Sequence, residues 1–264
     1  MKIIILSTLF FASFLFTSEA DAAIAFDASS TVAFADGAAS TTVATTSLTI
    51  SAGLSNSIVI MGISNGLGSP STTAMTATYA GQAMTLAGVV NNETNNCTSR
   101  MFYLLSPPSG ANIASSSWTN RQGVSMGVAS FSGVDQTTPV EASSTATSSG
   151  GASTTVKVTL TTVSTNAWVM DNVCAGGVQG TSTAPQVTLW RNVLPGNNDP
   201  WAGSSYTTTT ATSSITMEWK LSGTRQWSSI GLALKPATGV VNAVGSLFNK
   251  IVSRLKIIGG LILK

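Results

Sequence analysis

Val124–Val140, VSMGVASFSGVDQTTPV, is the stretch on which the fold turns. Val124, Met126 and Val128 point one way and Ala129 and Phe131 the other, at the two-residue period of a strand. A strand apolar on both faces belongs in the middle of a packed β-sheet. Gly133, Asp135 and Pro139 end the run, and a Ser/Thr-rich loop follows.

Moving outward, Ser57–Ile63 (SIVIMGI) is a second continuous apolar run, short enough for a buried strand. Ala167–Cys174 is a third and carries Asp171. Between Val156 and Thr161 the alternation is the clearest in the chain. Val156, Val158 and Leu160 face in, and Lys157, Thr159 and Thr161 face out. Met75–Tyr79, the turn Ala80-Gly81-Gln82 and Ala83–Val90 read as a hairpin. Further strands are predicted over Thr42–Ile50, Arg100–Leu105, Ile113–Trp118, Val187–Leu194, Ser214–Lys220 and Gln226–Leu234. Glu141–Thr155 and Leu194–Thr210 read as loops. This spacing predicts an all-β fold, a two-sheet antiparallel β-sandwich of jelly-roll type. No βαβ alternation and no internal repeat is legible.

Composition narrows the function. Charged residues make up 8% of the chain, against about 25% in ordinary domains. Ser and Thr take their place, and these suit strands better than helix interiors. There is no histidine, so every Ser-His-Asp or Cys-His arrangement is excluded. The net charge of +2 leaves no basic stripe for nucleic acid.

Residues 1–23 read as a secretory signal, with Lys2 before an apolar stretch and small residues at Ser18-Glu19-Ala20 and Ala20-Asp21-Ala22. The sandwich is expected over 24–236, in a secreted or cell-surface protein. Export favours a disulfide between Cys97 and Cys174. Residues 237–264 differ from the body. Leu247, Phe248, Ile251, Leu255, Ile258 and Ile262 fall on one helical stripe, with Lys250 and Arg254 opposite. Such a basic amphipathic helix fits a membrane surface, self-association or the chain's own sheet.

Four pieces carry a resemblance: Thr78–Leu86 (TYAGQAMTL), Phe102–Gly110 (FYLLSPPSG), Phe131–Pro139 (FSGVDQTTP) and Ile230–Pro236 (IGLALKP). In that order they resemble a family of secreted bacterial and phage-associated β-sandwich domains of uncharacterised function. The resemblance covers Ile24–Pro236 and implies an extracellular sandwich with no established catalytic residues.

Three constellations remain. In the loop Leu194–Thr210, Asn198 and Asp199 precede Trp201 and Tyr206. Aromatic rings beside amide and carboxylate groups suit a sugar, and the same oxygens suit Ca²⁺; an ordinary turn with Trp201 packed inside is the other reading. Glu93, Asp135, Glu141, Asp171 and Glu218 are candidates for the facing pair of a glycosidase. Lys157, Asn172 and Glu218 could form an internal isopeptide crosslink. The leading expectation is a non-enzymatic, secreted structural or adhesive protein without cofactor or metal. A carbohydrate-binding module using Trp201 and Tyr206 is the alternative, and a jelly-roll glycoside hydrolase a weaker one.

Overall fold

The computed structural model describes residues 22–34, 43–66, 75–92, 97–118, 123–148, 151–192 and 200–238. They form strands β1 (Ala25–Phe34), β2 (Val43–Ile50), β3 (Ile58–Asn65), β4 (Met75–Tyr79), β5 (Gln82–Ala83), β6 (Thr85–Asn92), β7 (Cys97–Leu105), β8 (Gly110–Trp118) and β9 (Val124–Ser132). The chain continues through β10 (Val140–Thr147), β11 (Ser153–Thr161), β12 (Trp168–Gly176), β13 (Gly180–Ser182), β14 (Val187–Asn192), β15 (Pro200–Thr208), β16 (Ser214–Arg225) and β17 (Trp227–Leu234). The expected C-terminal helix, with Leu247, Phe248, Ile251, Leu255, Ile258 and Ile262, lies outside the described residues, as does nearly all of the expected signal.

All pairings are antiparallel, as expected, but the strands make four sheets rather than two. Their orders are β1-β9-β3-β7-β6, β2-β8-β4-β5, β10-β17-β12-β15-β14 and β11-β16-β13. Three apolar seams lie between successive layers. Val59, Met61 and Ile63 of β3 join Leu48 of β2 and Tyr79 of β4 in the first seam. Ile58 and Ile60 point the other way and meet Trp190 of β14 and Ile230 and Leu232 of β17. The third seam joins Val158 of β11 and Met217 of β16 to Val169 of β12, and Trp219 of β16 to Trp201 of β15. The two inner sheets are therefore covered on both faces. This explains β9, whose Val124, Met126 and Val128 enter the first seam while Ala129 and Phe131 enter the second.

The order β1-β9-β3-β7-β6 is repeated as β10-β17-β12-β15-β14, and β2-β8-β4 is repeated as β11-β16-β13. The chain is a duplication, contrary to the sequence reading. The details repeat as well. Asn56 and Asn166, each just ahead of an inner strand, both have positive φ. A bulge falls at Asp27 in the β1–β9 pair and at Glu141 in the β10–β17 pair. Both carboxylates then accept from the backbone just beyond the next strand, Asp27 from Ser51 N–H at 3.2 Å and Glu141 from Val163 N–H at 2.8 Å. A second shared bulge falls at Ala87 and Leu189.

The halves meet through their inner sheets with reciprocal contacts. β1 lies by β14 as β10 lies by β6, and β9 lies by β15 as β17 lies by β7. Such contacts approximate a two-fold axis. The side chains break the symmetry. Trp190 occupies the position matching Gly88, and Ile230 the position matching Gly127. Trp190 lies over Gly62 and Gly127, which face each other across β3 and β9, and Ile230 lies over Gly88. A Cβ on Gly62 would sit 2.8 Å from the Trp190 ring, and one on Gly127 would be closer still. Each large residue thus rests on a glycine of the other half. The ends are clasped too: Val134 bridges Pro236, and Ala237 N–H donates to Gly133 C=O at 2.8 Å. Asp21–Ala237 form one compact unit.

Several expected elements are corrected. Glu141–Thr155 was expected to be a loop, but most of it is β10 and the start of β11. Beyond Val140, which packs in the inner seam, β10 contributes only Ala142 and Ala146 to the core, too small an apolar signal for its pattern to be read. The expected hairpin is cut short, because Thr78↔Ala83 and Tyr79↔Gln82 are its only pairs. The chain then crosses to the inner sheet as β6.

Trp190→Ala should cost about 3–5 kcal/mol, because the two-glycine floor cannot collapse into the space left by the ring. The check is a denaturant midpoint measured at constant slope. A loss under about 1 kcal/mol would show that the ring does not fill this pit.

Candidate functional site

Of the residues expected to bind a ligand, Trp201 and Tyr206 do not come together. Trp201 and Tyr206 lie on strand β15 rather than in a loop, and they are five residues apart. An odd separation along a strand places side chains on opposite faces. Trp201 is 2% exposed in the outer seam, edge-on to Trp219 at 5.3 Å between centroids. Tyr206 faces the inner seam, where Trp168 stacks on it at 4.7 Å and Phe26 lies nearly parallel at 6.1 Å. Trp201 is buried and Tyr206 half-buried, on opposite faces of β15, so the two rings do not form one shared platform. Asn198 and Asp199 lie outside the described residues. Trp201 does reach one cleft of about 140 Å³, shared with Gln179, Gly180 and Arg191.

Each described carboxylate has a structural task. Asp27 and Glu141 hold the chain after the second strand of each half. Burial pushes Asp27 up, but bonds from Ser51 and Ser130 outweigh it and hold the group below the usual range. Asp135 accepts from Thr138 and Thr137 N–H at 2.7 and 2.8 Å and pairs with Lys235. Glu218 lies between Lys220 at 2.8 Å and Lys157 at 3.0 Å, and both lysines lower its pKa. Asp171 is fully buried in the outer seam. It lies on the inner side of the sheet whose outer side carries Glu218, so the two do not face each other across a cleft. Among the described residues no three His, Cys, Asp or Glu side chains gather as a metal site. Glu93 lies outside the described residues.

The isopeptide triad is not assembled either. Lys157 and Glu218 pair on the outer face. Asn172 is fully buried in the inner seam, where its side-chain amide donates to Ser64 Oγ at 3.2 Å and Ser99 Oγ at 3.3 Å.

What the sequence missed is a polar seam beside the Trp190 contact. Ser64 Oγ donates to Val173 C=O at 3.0 Å and Ser99 Oγ to Asn172 C=O at 3.1 Å. On the opposite face of β7, towards β4, Arg100 is 4% exposed and donates to Asn65 Oδ1 and to Met75 Sδ, and burial pushes its pKa down to about 10. Single hydroxyls and amides buried among apolar strands give no periodic signal. At the inner seam Cys97 of β7 and Cys174 of β12 form the expected disulfide, with Cα atoms 5.8 Å apart.

Asp171 is the second missed feature. Burial raises its pKa to about 7, against bonds from Trp219 Nε1 at 2.6 Å, Ser205 N–H at 2.7 Å and Ser205 Oγ at 2.9 Å. The chain has no histidine to titrate nearby in pH. No family model matches the chain, and neither a curated protein nor a solved structure does.

Two outcomes are expected. Replacing both cysteines by serine should remove about 4 kcal/mol, because the bond closes 77 residues of chain. Thiol labelling that modifies both cysteines in the folded, unreduced protein would contradict the bond. For Asp171, the folded state holds its proton more tightly than the unfolded chain, whose carboxyl titrates near 3.8. Stability is therefore greatest below about pH 4 and falls as pH rises through 7, by up to about 4 kcal/mol for this group. Unfolding free energies at pH 5 and pH 8 should show more than half of that fall. Asp171→Asn should flatten the profile, and an unchanged profile in that variant would assign the effect elsewhere.

Proposed function

We propose that the chain is a non-enzymatic, secreted structural or adhesive protein of the cell surface, built from two jelly-roll-like sandwiches fused through their inner sheets. In each half the first and last strands are neighbours and the third follows them, opposite a sheet carrying the second and fourth. That order is the jelly-roll pattern and supports this reading of the topology. The observation that carries the function is the Cys97–Cys174 bond across the inner seam. Disulfides of this kind belong to oxidising compartments, and this one links two halves that already interlock. The engaged carboxylates and the Ser/Thr-rich outer strands fit a role in which the surface itself is used rather than a catalytic cleft. The resemblance to secreted bacterial and phage-associated domains points the same way.

Fractionation of the native source tests the proposal. The protein is expected outside the cytoplasm, free or surface-attached, with its signal removed and both thiols blocked to labelling. Recovery in the cytosol with two reactive thiols would overturn it.

A further inference from the structure

Among the described residues eight strands end a sheet: β1, β6, β2, β5, β10, β14, β11 and β13. An edge exposes unpaired backbone N–H and C=O groups, and proteins blunt it by bulges, charge or shortness. Seven of these edges are blunted. β1 and β10 bulge at Asp27 and Glu141. β6 bulges between Leu86 and Gly88, and β14 bulges and carries Arg191. β11 bulges after Ser153 and points Lys157 outward. β5 and β13 are two and three residues long. Among the described residues β2 has none of these devices. Its eight residues, VATTSLTI, contain no charge, proline or glycine. Its register with β8 runs unbroken from Val43↔Ser117 to Ile50↔Gly110. Short, uncharged segments of high β-propensity are those that pair with copies of themselves.

The duplication supplies an internal control. Thr45 pairs with Ser115 at the place where Lys157 pairs with Glu218 in the second half. Ser117 stands where Lys220 stands. The Lys-Glu-Lys cluster that guards one outer sheet is thus a set of hydroxyls on the other. Val43 and Ile113 add apolar surface there, 40% and 53% exposed.

We propose that β2 pairs edge to edge with β2 of a second copy of this chain, antiparallel, joining two four-stranded outer sheets into one of eight strands. An antiparallel pairing of a strand with itself is isologous and closes as a dimer. A two-fold axis perpendicular to the sheet keeps Val43, Thr45, Ser47 and Thr49 of both copies on the outer side and Ala44 and Leu48 on the inner side. The pairing holds whether or not the protein is secreted.

The test is light scattering on the full, disulfide-bonded chain over a concentration series, with hydrogen exchange on the same samples. The expected mass at high concentration is twice that of the monomer. The β2 amides should gain protection as concentration rises. Thr45→Lys and Ser47→Lys each place a cation on the outer side of the edge, and each should give monomer with an unchanged melting temperature. A wild type that stays monomeric at every concentration overturns the proposal. So does a dimer that persists in both lysine variants, which would place association elsewhere, such as the basic tail. Should the variants misfold, hydrogen exchange of the wild type decides: β2 amides indifferent to concentration refute the pairing.

Discussion

The structure depends on large side chains of one half resting on glycines of the other. Trp190 lies over Gly62 and Gly127, and Ile230 over Gly88. Two sheets can approach only where side chains interdigitate, and here the interdigitation is one-sided at each matched position. Two copies of the first half would set glycine against glycine and leave voids. Two copies of the second would set Trp190 against Ile230. The seam therefore selects the pairing of unlike halves, and it does so by shape. This is specificity by exclusion as well as by attraction.

The remaining features follow from that seam. Burying an inner sheet on both faces requires its strands to be apolar on both, as β3, β9, β12 and β17 are. The polar groups caught there must find partners. Ser64, Ser99 and the side-chain N–H groups of Asn172 do so with backbone carbonyls and with one another. The disulfide joins β7 of one half to β12 of the other, so it acts on an interface already specified by packing.

The outer sheets carry the difference between the halves. One is guarded by the Lys157–Glu218–Lys220 cluster and the other presents hydroxyls and methyl groups. In a chain with so few charges, the lysine on β11 adds to its bulge a barrier to edge pairing that the matching strand β2 lacks. The buried Asp171 shows the same economy inside, where one carboxyl takes bonds from Trp219 and Ser205 in an otherwise apolar seam.

By itself the sequence determined the all-β class, the antiparallel strands and most of their positions. Two-residue periodicity and Gly/Pro punctuation are local, and β9 is legible from Val124 to Phe131 because both its faces are apolar. The two cysteines could be paired because there are no others. Tertiary structure alone decided the four layers and the duplication. The offset between matched residues drifts from 114 for Phe26 and Val140 to 102 for Thr85 and Val187, so no fixed period exists to find. Identity between matched residues is confined to short pieces such as Ala28–Thr31 and Ala142–Thr145, and at the seam the matched residues are complementary rather than alike. Burial of Trp201 was likewise undecidable locally: a tryptophan near asparagines reads the same whether its strand faces water or a second sheet. Which sheet covers it is a property of long-range contacts, and those are fixed only when Trp219 arrives from β16.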